Sequence, residues 1–258
     1  MPVKQLFDLS GRTAIITGGS RGLGLQMAEA LGEMGARVAL TARKKDELDG
    51  AVAQLAKQGI DAAAWACDIG KREAIPLFAE AILKKYGKVD ILVNNAGATW
   101  GAPAEDHPID AWDKLVNLNL TGTFILTQLI AKKSMIPAKY GRIINIASVN
   151  GVQANDRRLV RTAAYVATKH GVVGLTRQLA AEWGAYGITV NAICPGFFPS
   201  KMTRATFGAD LQFIIDATPT GRVGNDEDLK GVAVLLASNA GSHITGQAIV
   251  VDGGATII

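Results

Sequence analysis

The sequence is short of the residues that most often carry metal and redox chemistry. It has 2 cysteines, Cys67 and Cys194, and 3 histidines, His107, His170 and His243, in 258 residues. Neither cysteine belongs to a CxxC pair and no histidine has a partner at ligand spacing, so no metal site is expected. Both cysteines close apolar runs, the pattern of reduced, half-buried thiols in a cytoplasmic protein. Long hydrophobic runs are missing: none approaches the roughly 18 residues of a membrane span. The start, Met1 to Asp8, lacks the apolar core of a signal peptide. Excess charge is also scarce. The 27 basic and 23 acidic residues leave a dispersed net +4, which gives nucleic acid no stripe to bind and suits small anionic ligands equally well. With no Pro- or Ser-rich linker and no break in composition, residues 1–258 are expected to form a single domain.

What is present is apolar sequence in short pieces. Hydrophobic residues make up 48% of the chain, ample for a sizeable core. Apolar runs expected to be strands cover 13–17, 37–41, 62–67, 89–93, 142–147, 188–193 and 247–251. Helical patterns alternate with them over 23–34, 46–58, 71–86, 110–133, 162–185 and 227–237, the fourth starting near a cap candidate, Asp110. Uniformly apolar strands separated by helices imply a parallel sheet covered on both faces. The expected fold is therefore α/β: one doubly wound, parallel, seven-stranded, Rossmann-like sheet with helices on both faces.

Within the fifth helical pattern lies Tyr165-Val166-Ala167-Thr168-Lys169. Residues four apart share a helix face, so the phenol and the ammonium can meet in one cleft. A free tyrosine has a pKa of about 10, and a nearby cation lowers it by favouring phenolate. A shift of about 3 units needs about 4 kcal/mol of differential stabilisation, to which a cationic nicotinamide could add. Such a tyrosine could pass a proton to or from a substrate oxygen. An amphipathic helix that happens to carry both residues is the bland alternative.

Between the first strand and first helix runs Thr17-Gly18-Gly19-Ser20-Arg21-Gly22-Leu23-Gly24. Gly18 permits a tight exit from the strand. Gly22 and Gly24 let a diphosphate approach a helix N-terminus whose amides favour anions. A carboxylate at the end of the second strand would hold a ribose 2′-hydroxyl and repel a 2′-phosphate. That place falls to Ala42, followed by Arg43, and Arg21 sits in the loop. Two guanidiniums without a carboxylate predict NADP(H) ahead of NAD(H). Arg43 with Lys44 and Lys45 could also be only a solvated helix start.

Together these residues resemble the short-chain dehydrogenase/reductase family over nearly the whole chain. The resemblance includes Asp68 after the third strand and Asn94-Asn95-Ala96-Gly97 after the fourth. It continues through Asn119, Ser148, Tyr165 with Lys169, Pro195-Gly196 and the tail Val251-Asp252-Gly253-Gly254. It implies Tyr165 as general acid/base, with Lys169 lowering its pKa and binding the nicotinamide ribose. Ser148 would bond the substrate carbonyl, and Asn119 would hold a water leading to Lys169. Besides Gly18, Ser20, Arg21, Gly22, Leu23, Gly24 and Arg43, the implied cofactor contacts are Asp68 at the adenine, Ile69, Asn95 on the adenosine side, Ala96 and Gly97. They continue with Tyr165, Lys169, Pro195 and Gly196 bordering the nicotinamide, Phe198, and Ser200 in the place of a common threonine. The implied reaction is metal-free hydride transfer between the nicotinamide and a small-molecule carbonyl or alcohol, in a homotetramer joined through its long helices. A nucleotide-binding regulator that had lost the chemistry would have no need of Asn119, Ser148, Tyr165 and Lys169 together.

The chain departs from the family where Ser148 and Tyr165 lie farther apart than usual, and the extra residues carry Arg157, Arg158 and Arg161. These could greet an anionic substrate or simply solvate a loop. Residues 195–225, with Phe197, Phe198, Met202, Phe207, Phe213 and Ile214, could form with Trp100 an apolar lid over the nicotinamide. An apolar lid ranks 3-oxoacyl thioester reduction first and gluconate 5-dehydrogenation second.

Overall fold

The computed structural model describes residues 1–155, 161–200 and 211–257. Its strands are β1 Thr13–Thr17, β2 Arg37–Ala42, β3 Ala62–Ala66, β4 Ile91–Asn94, β5 Gly141–Ile146, β6 Ile188–Pro195 and β7 Ala248–Val251. They form one 7-stranded sheet in the order β3-β2-β1-β4-β5-β6-β7, with every pairing parallel. The expected fold is the observed one.

The central strands β1, β2, β4, β5 and β6 are buried on both faces, which is why they carry no polar alternation, while the edge strands β3 and β7 are only partly buried. Successive side chains point to opposite faces. Ala14, Ile16, Val38, Leu40, Ile91 and Val93 enter one core, while Ile15, Ala39, Leu92 and Ile143 enter the other. A short first helix, α1 Val3–Leu6, precedes β1 and was not expected. Helices α2 Gly22–Glu33 and α3 Lys45–Lys57 cover the first core, together with the helix Lys230–Ala237. On the other side, α4 Ile75–Tyr86 carries its proline in the first turn and Lys84 and Lys85 in the last, where proline needs no partner and the carbonyl ends attract cations.

The long helix over 110–133 departs from expectation. It begins as α5 Ile109–Val116, after Pro108, so Asp110 lies in its first turn and is not the cap. It continues as α6 Thr123–Ile130 and α7 Ile136–Ala138, broken by π-type turns at Asn117–Gly122 and Ala131–Met135. Such turns recur at functional sites because they reset which residues face inward. The first of them carries Asn119. Strand β4 also starts later than residue 89, where the Val89 N–H donates to Ser134 Oγ and the Val89 oxygen accepts from the same hydroxyl. Helix α8, Ala163–Trp183, carries Tyr165 and Lys169, and a short helix, Leu211–Asp216, lies in the stretch read as a lid.

Among the described residues, no helix is long and apolar enough to cross a membrane. Between β1 and β4 the chain turns to opposite sides, and the crevice outside those strand ends is where open α/β sheets bind ligands.

Candidate active site

A cavity of about 370 Å³ opens at that crevice, lined by the turns that follow β1 to β6. Gly18, Ser20, Arg21, Gly22 and Leu23 border it. Gly22 opens α2 at φ +53° with open space where a Cβ would stand. Gly24 does not border the cavity. A Cβ there would strike the Gly18 oxygen and the Asn95 amide, so the missing side chain serves the packing of α2 on its own loop and not a ligand's approach.

Asn95 is likewise engaged with protein. Its Nδ2 donates to Thr17 O at 2.9 Å and to Gly18 O at 3.2 Å, while Thr17 Oγ1 accepts from the N–H of Asn95 and of Ala96, both at 2.9 Å. This pair clamps the end of β4 to the glycine loop. Asn95, Ala96 and Gly97 border the cavity, but both amide protons of Asn95 face the loop.

The corner expected to hold only cations contains a carboxylate. Glu47, in the first turn of α3, accepts from Arg21 at 3.0 Å and pairs with Lys44 at 3.2 Å, and its other oxygen lies 3.5 Å from Ser20 Oγ. Arg43 borders the same corner and has no ion pair among the described residues. Asp68 accepts from Gly70 N at 2.9 Å and borders the cavity beside Ile69 and Cys67. Burial, and after it the nearby Asp68, push the Cys67 thiol up to about 11. Cys67 and Cys194 are both buried, more deeply than the half-burial expected.

On the opposite wall stand Ser148, Tyr165 and Lys169. Ser148 is held at the start of a short turn, Val149–Gly151, by accepting from Asn150 N at 3.1 Å, and its side chain is near enough to the Tyr165 phenol to bias its ionisation. Lys169 is buried, with its Nζ 5.6 Å from the centre of the Tyr165 ring, and it donates to the Ile146 carbonyl at 2.7 Å. Burial brings its ammonium down to about 8. Burial also raises the phenol above its ordinary range, against the Ser148 bond that favours phenolate and with the Cys194 thiol adding to the rise. The expected depression by Lys169 is not found in this state. The lysine points its proton at a backbone oxygen, and desolvation of the phenol prevails.

Asn119 stands behind this wall, 2% exposed and outside the cavity lining. Its Oδ1 accepts from Ala98 N at 2.9 Å, and its Nδ2 donates to Ala98 O at 3.0 Å and to Thr168 Oγ1 at 3.1 Å. Thr168 Oγ1 in turn donates to Tyr165 O at 2.9 Å. The side chain therefore ties the loop after β4 to the turn of α8 that bears the phenol. Its main-chain oxygen accepts from Thr123 Oγ1 at 3.1 Å.

Trp100, two residues beyond the cavity-lining Ala98, is half-exposed, and a bridge joins Ala102 to Thr162, in which Ala102 N donates to Arg161 O at 2.9 Å. Arg161 is thereby held beside the loop of Trp100. Pro195, Gly196, Phe198 and Ser200 border the cavity. Phe198 and Ile214 are both buried, Phe198 within the first core, and neither adds to an exposed lid surface. Arg157, Arg158, Met202 and Phe207 lie outside the described residues. Sequence reasoning missed Glu47, Thr41, Ala98, Leu118, Ile146 and Ala147, which border the cavity without a motif to mark them.

Residues 12–210 match the family described as short chain dehydrogenase. The chain is 39% identical over 256 residues to a gluconate 5-dehydrogenase of Gluconobacter oxydans, covering 98% of each. It is 38% identical to the rhamnolipids biosynthesis 3-oxoacyl-[acyl-carrier-protein] reductase of Pseudomonas aeruginosa, over 96% of this chain and 97% of that one. The crystal structure of a gluconate 5-dehydrogenase from Burkholderia cenocepacia, in complex with NADP and tartrate, superposes with a TM-score of 0.93 at 35% identity and covers 100% of both chains.

Proposed function

The chain belongs to the short-chain dehydrogenase/reductase family, and we propose that it interconverts a secondary alcohol and a ketone on a small hydroxylated carboxylic acid, with NADP(H) preferred to NAD(H). That it is an oxidoreductase of CH–OH groups follows from the family. One observation carries the chemistry: Ser148, Tyr165 and Lys169 line one wall of the cavity, and the same cavity begins at the glycine loop. The residues present fit a dinucleotide. Gly22 stands at positive φ with open space at the N-terminus of a 12-residue helix, which is a cradle for a diphosphate.

The nicotinamide, when bound, supplies or takes up the hydride. Tyr165 gives its proton to the carbonyl oxygen in reduction and takes it back in oxidation. Ser148 orients that oxygen with its hydroxyl. Lys169 would hold the cofactor's ribose, and Asn119 with Thr168 keeps α8 in place behind the phenol. A phenol raised by burial suits the donor role. Lowering it for oxidation calls for the positive charge of an oxidised nicotinamide nearby.

For the substrate, our order reverses the one read from the sequence. Phe198 and Ile214 are buried, which leaves less exposed apolar surface for a lid, and exposed Arg161, bonded through its backbone oxygen to Ala102, is a cation for a substrate carboxylate to pair with. Relatives named for gluconate support the same choice. A 3-oxoacyl thioester is the second reading, favoured by the exposed indole of Trp100 and the likeness to an acyl reductase. We further propose a homotetramer, since Ile109, Trp112 and Phe124 of the long helix are exposed. Activity with gluconate and 5-ketogluconate, set against acetoacetyl-CoA and a neutral ketone with both cofactors, decides the substrate. Tyr165→Phe should bind cofactor normally and lose at least about 100-fold in turnover. Undiminished turnover would overturn the mechanism.

A further inference from the structure

The cavity holds one acidic side chain in its cationic corner that the chemistry above leaves idle. Glu47 sits in the first turn of α3, and two ordinary roles are open to it. A carboxylate there complements the helix N-terminus. Its contact with Lys44 is an i,i+3 surface pair, of a kind worth little. Neither role accounts for the other contacts. Ser20 and Arg21 reach Glu47 from the glycine loop, 27 and 26 residues earlier in the chain. All four of these residues border the cavity.

We infer that Glu47 determines cofactor choice as an internal counter-anion. It competes with a 2′-phosphate for Ser20, Arg21 and Lys44, and it offers an acceptor to a ribose 2′-hydroxyl when no phosphate is present. The inference rests on the dinucleotide reading and goes beyond it. Arg21, Arg43 and Lys44 would alone make a strongly NADP(H)-selective corner. A carboxylate in their midst repels the phosphate and narrows the gap between the two cofactors, as a repulsive element does wherever specificity is a difference of affinities. The sequence concealed this because the acceptor expected at the end of β2 is supplied five residues later, from the helix.

Equilibrium titration of the full chain, followed by tryptophan fluorescence, measures dissociation constants for NADPH and NADH without turnover. The same titration with adenosine 2′,5′-bisphosphate and AMP isolates the ribose end. Glu47→Gln is expected to tighten NADPH and the bisphosphate about tenfold. NADH and AMP should stay level or weaken, and the shift should shrink as salt is raised. Asp46→Asn removes an equal charge from the same helix turn and should move the NADPH/NADH ratio less than about twofold. Arg21→Ala should move that ratio toward NADH, which keeps a second line of evidence should Glu47→Gln fold poorly. The inference fails if both dinucleotides bind and Glu47→Gln leaves their ratio unchanged, or if Asp46→Asn moves the ratio as far. Failure of both dinucleotides to bind the unaltered protein would instead overturn the cofactor reading itself.

Discussion

Lys169 donates its ammonium proton to the carbonyl oxygen of Ile146 over 2.7 Å, joining the second turn of α8 to the last residue of β5. The bond places a cation in the cavity wall that pairs with no carboxylate among the described residues, and burial brings its pKa from 10.5 to about 8.

A buried amine of this kind costs stability where it is charged in both states, which is below about pH 8. Between about 8 and 10.5 the folded form sheds the proton while the unfolded chain keeps it, so this group's contribution to stability rises with pH. Lys169→Met is therefore expected to help the fold at neutral pH and less at alkaline pH. The variant-minus-parent difference in Tm should be larger at pH 7 than at pH 10 by about 3 °C. Its kcat/KM should fall by about 100-fold or more. Calorimetry at the two pH values checks the first statement, and a difference that grows toward pH 10 contradicts it.

The raised phenol makes the two directions of catalysis respond oppositely to pH. Oxidation of an alcohol needs phenolate, so its rate should climb through the alkaline range. Reduction uses the neutral phenol and should be level near neutrality, then decline above about pH 8 as Lys169 loses its charge. Initial rates in both directions at saturating cofactor test this. An oxidation rate that drops between pH 6 and 8 would exclude the phenol as base.

Thr168 acts on the reaction only through its neighbours. Its hydroxyl accepts from Asn119 and donates to Tyr165 O, both inside the protein. Thr168→Val leaves Asn119 one acceptor short, at a cost of about 1–3 kcal/mol. For a chain of this length that lowers Tm by about 2–4 °C per kcal/mol. A loss in kcat with an unchanged KM for cofactor, restored by Thr168→Ser, identifies positioning. Equal loss in the serine variant would argue for simple misfolding.

Arg161→Ala tests the sugar-acid reading. One charge-assisted hydrogen bond lost should raise KM for a sugar acid about tenfold or more and leave a small neutral ketone unaffected. Parallel increases for both substrates would remove Arg161 from recognition.

Ile109, Trp112 and Phe124 present apolar surface along one helix. In light scattering at micromolar concentration the parent chain should weigh four chain masses, and Trp112→Glu should shift it to smaller species. A monomeric parent would refute the tetramer.

Parts of this site are written locally. The four-residue step from Tyr165 to Lys169 places both on one face of any helix, and Gly22 follows β1 at a spacing that needs no knowledge of the rest of the chain. The central strands were legible because both their faces are buried, so each reads as one apolar run. Other parts were not. Gly24 has the spacing of a ligand contact but is filled by Gly18 and Asn95. Glu47 looks like an ordinary first-turn carboxylate until β1 and β2 lie side by side and bring Arg21 to it. The π-type turn at Asn119 leaves no mark in the hydrophobic pattern, since it changes a helix's facing and not its composition.

The sequence by itself determined the order of strands and helices and the local spacing of the reactive side chains, because hydrophobic period and helix pitch act between near neighbours. Only the tertiary structure decided which polar groups still face the cavity. Asn95 is engaged with Thr17 and Gly18, and Asn119 with Ala98 and Thr168, through bonds to segments distant in the chain. It also decided the direction in which the Tyr165 phenol shifts, since desolvation depends on everything packed around a group and has no counterpart in a spacing of residues.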